Sequence, residues 1–267
     1  MLDLIGRYSL VRPSADRQMS MDAFEAVQTG HPMVALLEID VTRALSAIDA
    51  LRARGERVSL FAFLVSAIAR TIAEHPDLNL VRHGSRLARF DDVDVSVPVE
   101  VRTSEGHYPR QVVLRRAQDA SPAQLYAQLE AARTEVARSG ALGAEDRWVR
   151  RLAAFARIFP RWLRLALVRA ILRSAFRIKA RAGTTLVTSV GKFATVPGFA
   201  FTLIQGPRAA TFAIGSVVSK PWAHEGAIAL RSIQSLTIVV DHDLVDGAPA
   251  ARFAQRLVAR IEAAEGL

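Results

Sequence analysis

From Val93 to Val101 every second residue is valine, while Asp94, Ser96, Pro98 and Glu100 occupy the positions between. A repeat of two cannot line one side of a helix, so this stretch is committed to a strand with one apolar and one polar face. Pro98 lacks an N–H, which predicts an edge or a bulge there. Three further strand patterns, Thr184–Val190, Ala209–Val218 and Ile228–Asp241, follow one another late in the chain without helices between them. A doubly wound parallel sheet would need strands and helices to alternate. The expected fold class is therefore α+β: a two-layer mixed sheet with helices packed on one face, in a single domain.

Helical spacing supplies that second layer. Val41, Leu45, Ile48 and Leu51 share one face before Gly55; a strongly apolar helix opens at Ser59 and stops before Pro76; a last helix runs from about Pro249 to Ala264. Ser121, Pro122 and Gln124 read as N-cap, N1 proline and N3 partner of a helix ending near Gly140. Met33–Ile39 reads as a buried strand and Gln111–Arg115 as a further one. Residues 1–30 are polar and read as an irregular N-terminal arm, which puts the folded domain at 31–267.

Composition removes several chemistries. Of 267 residues none is cysteine, which excludes thiol nucleophiles, disulfides and Cys-ligated metals. No histidine pair has metal-ligand spacing with a carboxylate, and no phosphate-loop or dinucleotide motif occurs, so no metal is expected. His31 and His75 precede prolines and read as loop residues; His83, His107 and His224 read as exposed. No basic start followed by an apolar run marks a leader, and no run of about 18 apolar residues marks a spanning helix. A cytoplasmic protein is expected.

The formal charge of +9 is local. Between Glu145 and Ala182 eleven basic residues face two acidic ones, and the rest of the chain is neutral. This segment reads as two helices broken at Pro160, with Trp148, Leu152, Phe155 and Phe159 near one face and Trp162, Leu165, Val168, Leu172 and Phe176 forming another. Packing onto the domain or a second copy, peripheral contact with a membrane or lipid, and nucleic-acid binding all compete for it. No aromatic-interleaved motif supports the nucleic acid, and none is expected as a partner.

Chemistry concentrates in Val239–Phe253, VVDHDLVDGAPAARF, where an apolar strand delivers Asp241 and His242 and Asp246–Gly247 turns the chain into a helix. A histidine followed by Asp-Gly in this way resembles the signature of the catalytic domain of dihydrolipoyl acyltransferases of 2-oxo acid dehydrogenase complexes and of chloramphenicol acetyltransferase. Three further blocks agree in order: FLVSAIARTIAEHPDLN from Phe63, LVTSVG from Leu186 and AATFAIGSV from Ala209. The resemblance implies the chloramphenicol acetyltransferase-like fold and CoA-dependent acyl transfer to a thiol, amine or hydroxyl. His242 would be general base, the hydroxyl of Thr188 or Ser189 would stabilise the oxyanion, and Asp246, paired with an arginine, would hold the His242 loop. It also implies a homotrimer, or an assembly of trimers, with active sites between subunits. CoA or acyl-CoA enters as substrate.

The sequence departs from the family pattern in four places. The arginine that usually follows the catalytic histidine is Asp243 here; GHYPRQVVLRR (Gly106–Arg116) replaces a glycine-rich strand; the basic 145–182 segment is extra; and no lipoyl domain is present in these 267 residues. A non-catalytic scaffold that binds a membrane or partner is the competing reading, and a carrier-dependent condensation enzyme is a weaker one.

Overall fold

The computed structural model describes residues 15–27, 30–103, 106–139, 159–191, 197–200 and 206–267. Its elements are α1 (Ala15–Ala26), β1 (Pro32–Asp40), α2 (Thr42–Ala53), α3 (Leu60–Glu74), β2 (Leu80–His83), β3 (Arg86–Arg89), β4 (Val95–Thr103), β5 (Gly106–Leu114), α4 (Pro122–Ser139), α5 (Arg161–Leu172), α6 (Ala175–Ala182), β6 (Thr185–Ser189), β7 (Ala210–His224), β8 (Ala227–Asp241) and α7 (Gly247–Glu262). Six strands form one mixed sheet in the order β1-β8-β7-β6-β4-β5, and β2-β3 is a separate hairpin. Pairing is antiparallel except at β7-β6 and β6-β4.

The valine repeat does what its period requires. Val93, Val95, Val97 and Val99 are buried in the main core with Phe63, Ile68, Phe212, Leu236, Ile238 and Leu257. Pro98 lies beyond Ser96, where pairing with β6 has ended, so among the described residues its missing donor faces no partner strand. The polar face is less exposed than expected: Asp94 and Ser96 are also buried. The Asp94 carboxylate accepts from Lys179 at 2.7 Å, Arg115 at 2.8 Å and the backbone of Arg116 at 3.0 Å. Burial pushes this carboxyl up, and those three donors together hold it below the usual range. The contact fastens α6 to the side of β4 away from the valines.

Helices α2, α3, α4 and α7 cover the valine side. Helix α3 is central, with Ala62 through Ala69 all buried, and Ser59 caps it by accepting from the Ala62 N–H at 3.2 Å. The Ser121 and Gln124 side chains each accept from the other's backbone, at 3.2 and 2.8 Å, completing the expected capping box of α4.

Three expectations change. Residues 1–30 are not irregular throughout, because α1 forms where Arg164 reaches Asp22 at 2.7 Å and Arg161 reaches Glu25 at 2.6 Å; its partner, α5, is remote in sequence. Strand β1 is an edge, not a buried strand, and leaves Val34 and Leu36 42% and 52% exposed. Pro160 does begin a helix, but a second break at Arg173–Ser174 separates α5 from α6, whose first N–H donates to His83 Nδ1 at 3.2 Å. The half before Pro160 lies outside the described residues, apart from Phe159.

Candidate functional site

Strand β8 ends on Asp241, buried at 1% side-chain exposure, and its backbone carbonyl accepts from Leu244 and Val245 at 3.0 Å. That tight turn, anchored by buried Val245, pushes His242 outward before α7 begins at Gly247. The imidazole is half exposed, and its backbone N–H donates to the His31 carbonyl at 2.9 Å. Its Nδ1 lies 3.9 Å from Asp246 Oδ1, too far for a hydrogen bond. Asp246 itself is 85% exposed.

The arginine sought for Asp246 goes elsewhere. Arg82, from β2, reaches Asp241 Oδ2 at 3.1 Å and Asp243 Oδ2 at 2.7 Å. Asp243 also receives His31 Nδ1 at 2.7 Å on its other oxygen, and its own N–H donates to Asp241 Oδ1 at 3.0 Å. The hydrogen bond from His31, followed by that from Arg82, holds the Asp243 carboxyl below its ordinary range, and Asp243 in turn raises the His31 pKa. Gly30 completes the packing: a Cβ there would sit 2.1 Å from Asp241 Oδ1. His242 is thus flanked by two tethered carboxylates. Arg82, His31 and Gly30 were not singled out in the sequence as site residues, His31 being read only as a loop residue, and Asp241 was named there without a role. Asp241 and Asp243, on either side of the histidine, were the visible signal; nothing in sequence pointed to Arg82.

Thr188 and Ser189 lie at the end of β6, and the register decides how far from His242. Thr188 is level with Ala213 of β7, which is level with Thr237 of β8; Ser189 is level with Ile214 and then Leu236. Thr237 precedes His242 by five residues. The separation is therefore about 17 Å along the strands and about 10 Å across them. Within one protomer the structure does not bring either hydroxyl to the imidazole. Among the described residues no three His, Asp or Glu side chains gather as a metal ion would need.

A family model for the 2-oxoacid dehydrogenases acyltransferase (catalytic domain) matches residues 9–147 and 177–267. The chain belongs to this acyltransferase family. The interruption in the match contains all of α5. Among curated relatives, the lipoamide acyltransferase component of the branched-chain alpha-keto acid dehydrogenase complex of Bacillus subtilis is 23% identical over 228 residues, 83% of this chain and 44% of its own length. The chain spans less than half the length of the curated relatives it matches. Among solved structures, the dihydrolipoamide acetyltransferase of Azotobacter vinelandii superposes with a TM-score of 0.71 at 22% identity, covering 98% of this chain and 95% of that one. A chloramphenicol acetyltransferase gives 0.51 at 13% identity over 91% and 95%. These likenesses confirm the expected α+β fold of the family.

Proposed function

We propose that this member of the acyltransferase family moves an acyl group between a CoA thioester and a thiol, amine or hydroxyl acceptor. The catalytic unit is 31–267, and the 145–182 segment is an insertion in it. His242 is the general base. In its neutral form it takes the proton of the attacking thiol, amine or hydroxyl through the exposed part of the ring, and it returns that proton to the leaving group. The developing oxyanion accepts a hydrogen bond from the hydroxyl of Thr188 or Ser189. Asp246 orients the ring from the Nδ1 side once the 3.9 Å gap closes. The Azotobacter structure was solved to examine a serine, a histidine and an asparagine in that enzyme's mechanism, the last two four residues apart. His242 and Asp246 share that spacing.

The observation that carries the reading is the combination of an outward-facing His242 with hydroxyls placed far from it on the same sheet. A complete site then needs a second copy, which supplies the hydroxyl to the histidine of its neighbour. The open β1 edge, with Val34 and Leu36 exposed, fits such an assembly. A homotrimer is proposed; one relative is the cubic core of a pyruvate dehydrogenase complex. His242→Ala is expected to lower acyl-CoA-dependent thiol release by about 10²–10⁴-fold across an acceptor panel that includes dihydrolipoamide. Full turnover in that variant would remove His242 from its role.

A second reading has its own observation. Trp162 and Phe176 are 70% and 62% exposed, Leu167 and Ile171 also face solvent, and arginines flank them. That surface suits peripheral contact with an anionic membrane. Among the described residues no helix is long and apolar enough to cross one. Co-sedimentation with anionic vesicles, abolished by Trp162→Glu with Phe176→Glu, is the expected result of this reading.

A further inference from the structure

A cleft of about 820 Å³ lies between the end of α1, the β2–β3 turn, α5 and Pro207. Arg82, Arg169 and Arg173 line it over an apolar floor that includes Ala26, Ala170 and Leu172, and no Asp or Glu is among its described lining residues. We propose that this cleft binds a substrate bearing a phosphate ester on an apolar body, with the phosphate held by Arg169 and Arg173.

The argument begins with how α5 treats its arginines. Arg161 and Arg164, turned toward α1, are matched by Glu25 and Asp22. Arg169 and Arg173, one turn apart at the other end, have no ion pair among the described residues, although like charges at this spacing repel. The C-terminal end of α5 eases that repulsion without giving the guanidinium groups an acceptor of their own. Two guanidinium groups side by side offer planar donor pairs that match phosphate oxygens, and a bound dianion would relieve their repulsion. Arg82 shares the same wall while its guanidinium holds Asp241 and Asp243, the residues on either side of His242. Arg82 thus links the cleft to the strand end that carries the imidazole, and the cleft's apolar residues offer a surface to an alkyl or acyl chain. Helix α5 and Arg173 lie in the interval that the family model leaves unmatched. The inference deepens the acyltransferase reading, naming the class of its substrate, and rests on it for the meaning of the bound molecule but not for binding itself.

The test is calorimetric titration of the full chain with dodecyl phosphate and with inorganic pyrophosphate, alongside co-sedimentation with vesicles of phosphatidate in phosphatidylcholine. Dodecyl phosphate is expected to bind below its micellar concentration, and Arg169→Gln with Arg173→Gln to weaken it about tenfold or more. Arg161→Gln, on the α1 side of the same helix, is expected to leave it unchanged. Monomeric binding supports the proposal; if vesicles bind through the same arginines, the phosphate is that of a membrane lipid, and if they do not, it is that of a free ester. No binding, binding unaffected by the double variant, or vesicle binding alone overturns it. Turnover of acyl-CoA is measured separately. Binding without turnover in the wild-type chain counts against the acyltransferase reading, and turnover without arginine-dependent binding counts against this inference alone.

Discussion

Arg82 donates to Asp243 at 2.7 Å, so the residue after His242 is an acid that draws its guanidinium from β2. The same group reaches buried Asp241. Removing it leaves that carboxylate without its cation. Arg82→Gln is expected to cost about 2 kcal/mol of stability by denaturant titration and to lower kcat more than it raises KM. A variant with unchanged stability and kcat would show that the tether does not position His242.

Gly30 answers the same buried carboxylate from the other side. With a Cβ destined for a point 2.1 Å from Asp241 Oδ1, Gly30→Ala must displace either β1 or the aspartate. The expected cost is about 1–3 kcal/mol, read as a lowered denaturation midpoint, together with reduced turnover. Wild-type stability in this variant would mean that Asp241 moves freely.

His31 sets a pH dependence whose sign follows from its raised pKa, caused first by the hydrogen bond to Asp243. A histidine that binds its proton more tightly in the folded chain stabilises the fold fully below its ordinary value of about 6.5 and loses that contribution as pH rises through the raised one. The Asp243 tether should therefore weaken as pH rises through that raised value. Histidine titration followed by NMR is expected to place His31 above its unfolded value, and His31→Gln to flatten stability over that window. A midpoint at or below about 6.5 would contradict the contact.

The proposed sharing of the site between subunits is tested by complementation. His242→Ala and a Thr188→Val, Ser189→Ala double variant are each expected to be nearly inactive. Refolded together from denaturant, they should regain activity, because some interfaces then join an intact imidazole to an intact hydroxyl. No recovery in mixed assemblies would place both groups' work within one protomer or dismiss one of them.

Legibility in the sequence followed the range of the interactions. The valine repeat, the Ser121–Gln124 box and the Ser59 cap are decided within a few residues; the box, the Ser59 helix start and the buried valine face stand in the structure as read, while the burial of Asp94 and Ser96 opposite depends on distant partners. The strand-to-helix delivery of His242 is equally local. What surrounds it is not: Arg82 and His31 come from β2 and the entry to β1, 161 and 212 residues from Asp243 in sequence. Short apolar runs such as Met33–Ile39 look alike in the middle and at the margin of a sheet, because periodicity records a side chain's face and not the number of neighbouring strands. Helix α1 was hidden for a related reason, its partners Arg161 and Arg164 being far along the chain.

Strand β1 has a hydrogen-bonded neighbour on one side only, β8, among the described strands. A protomer outside the proposed assembly would carry that open rim of amide groups, with Val34 and Leu36 beside it, into bulk solvent. Long storage at low concentration is then the condition under which the preparation should become turbid, and keeping it concentrated should protect it.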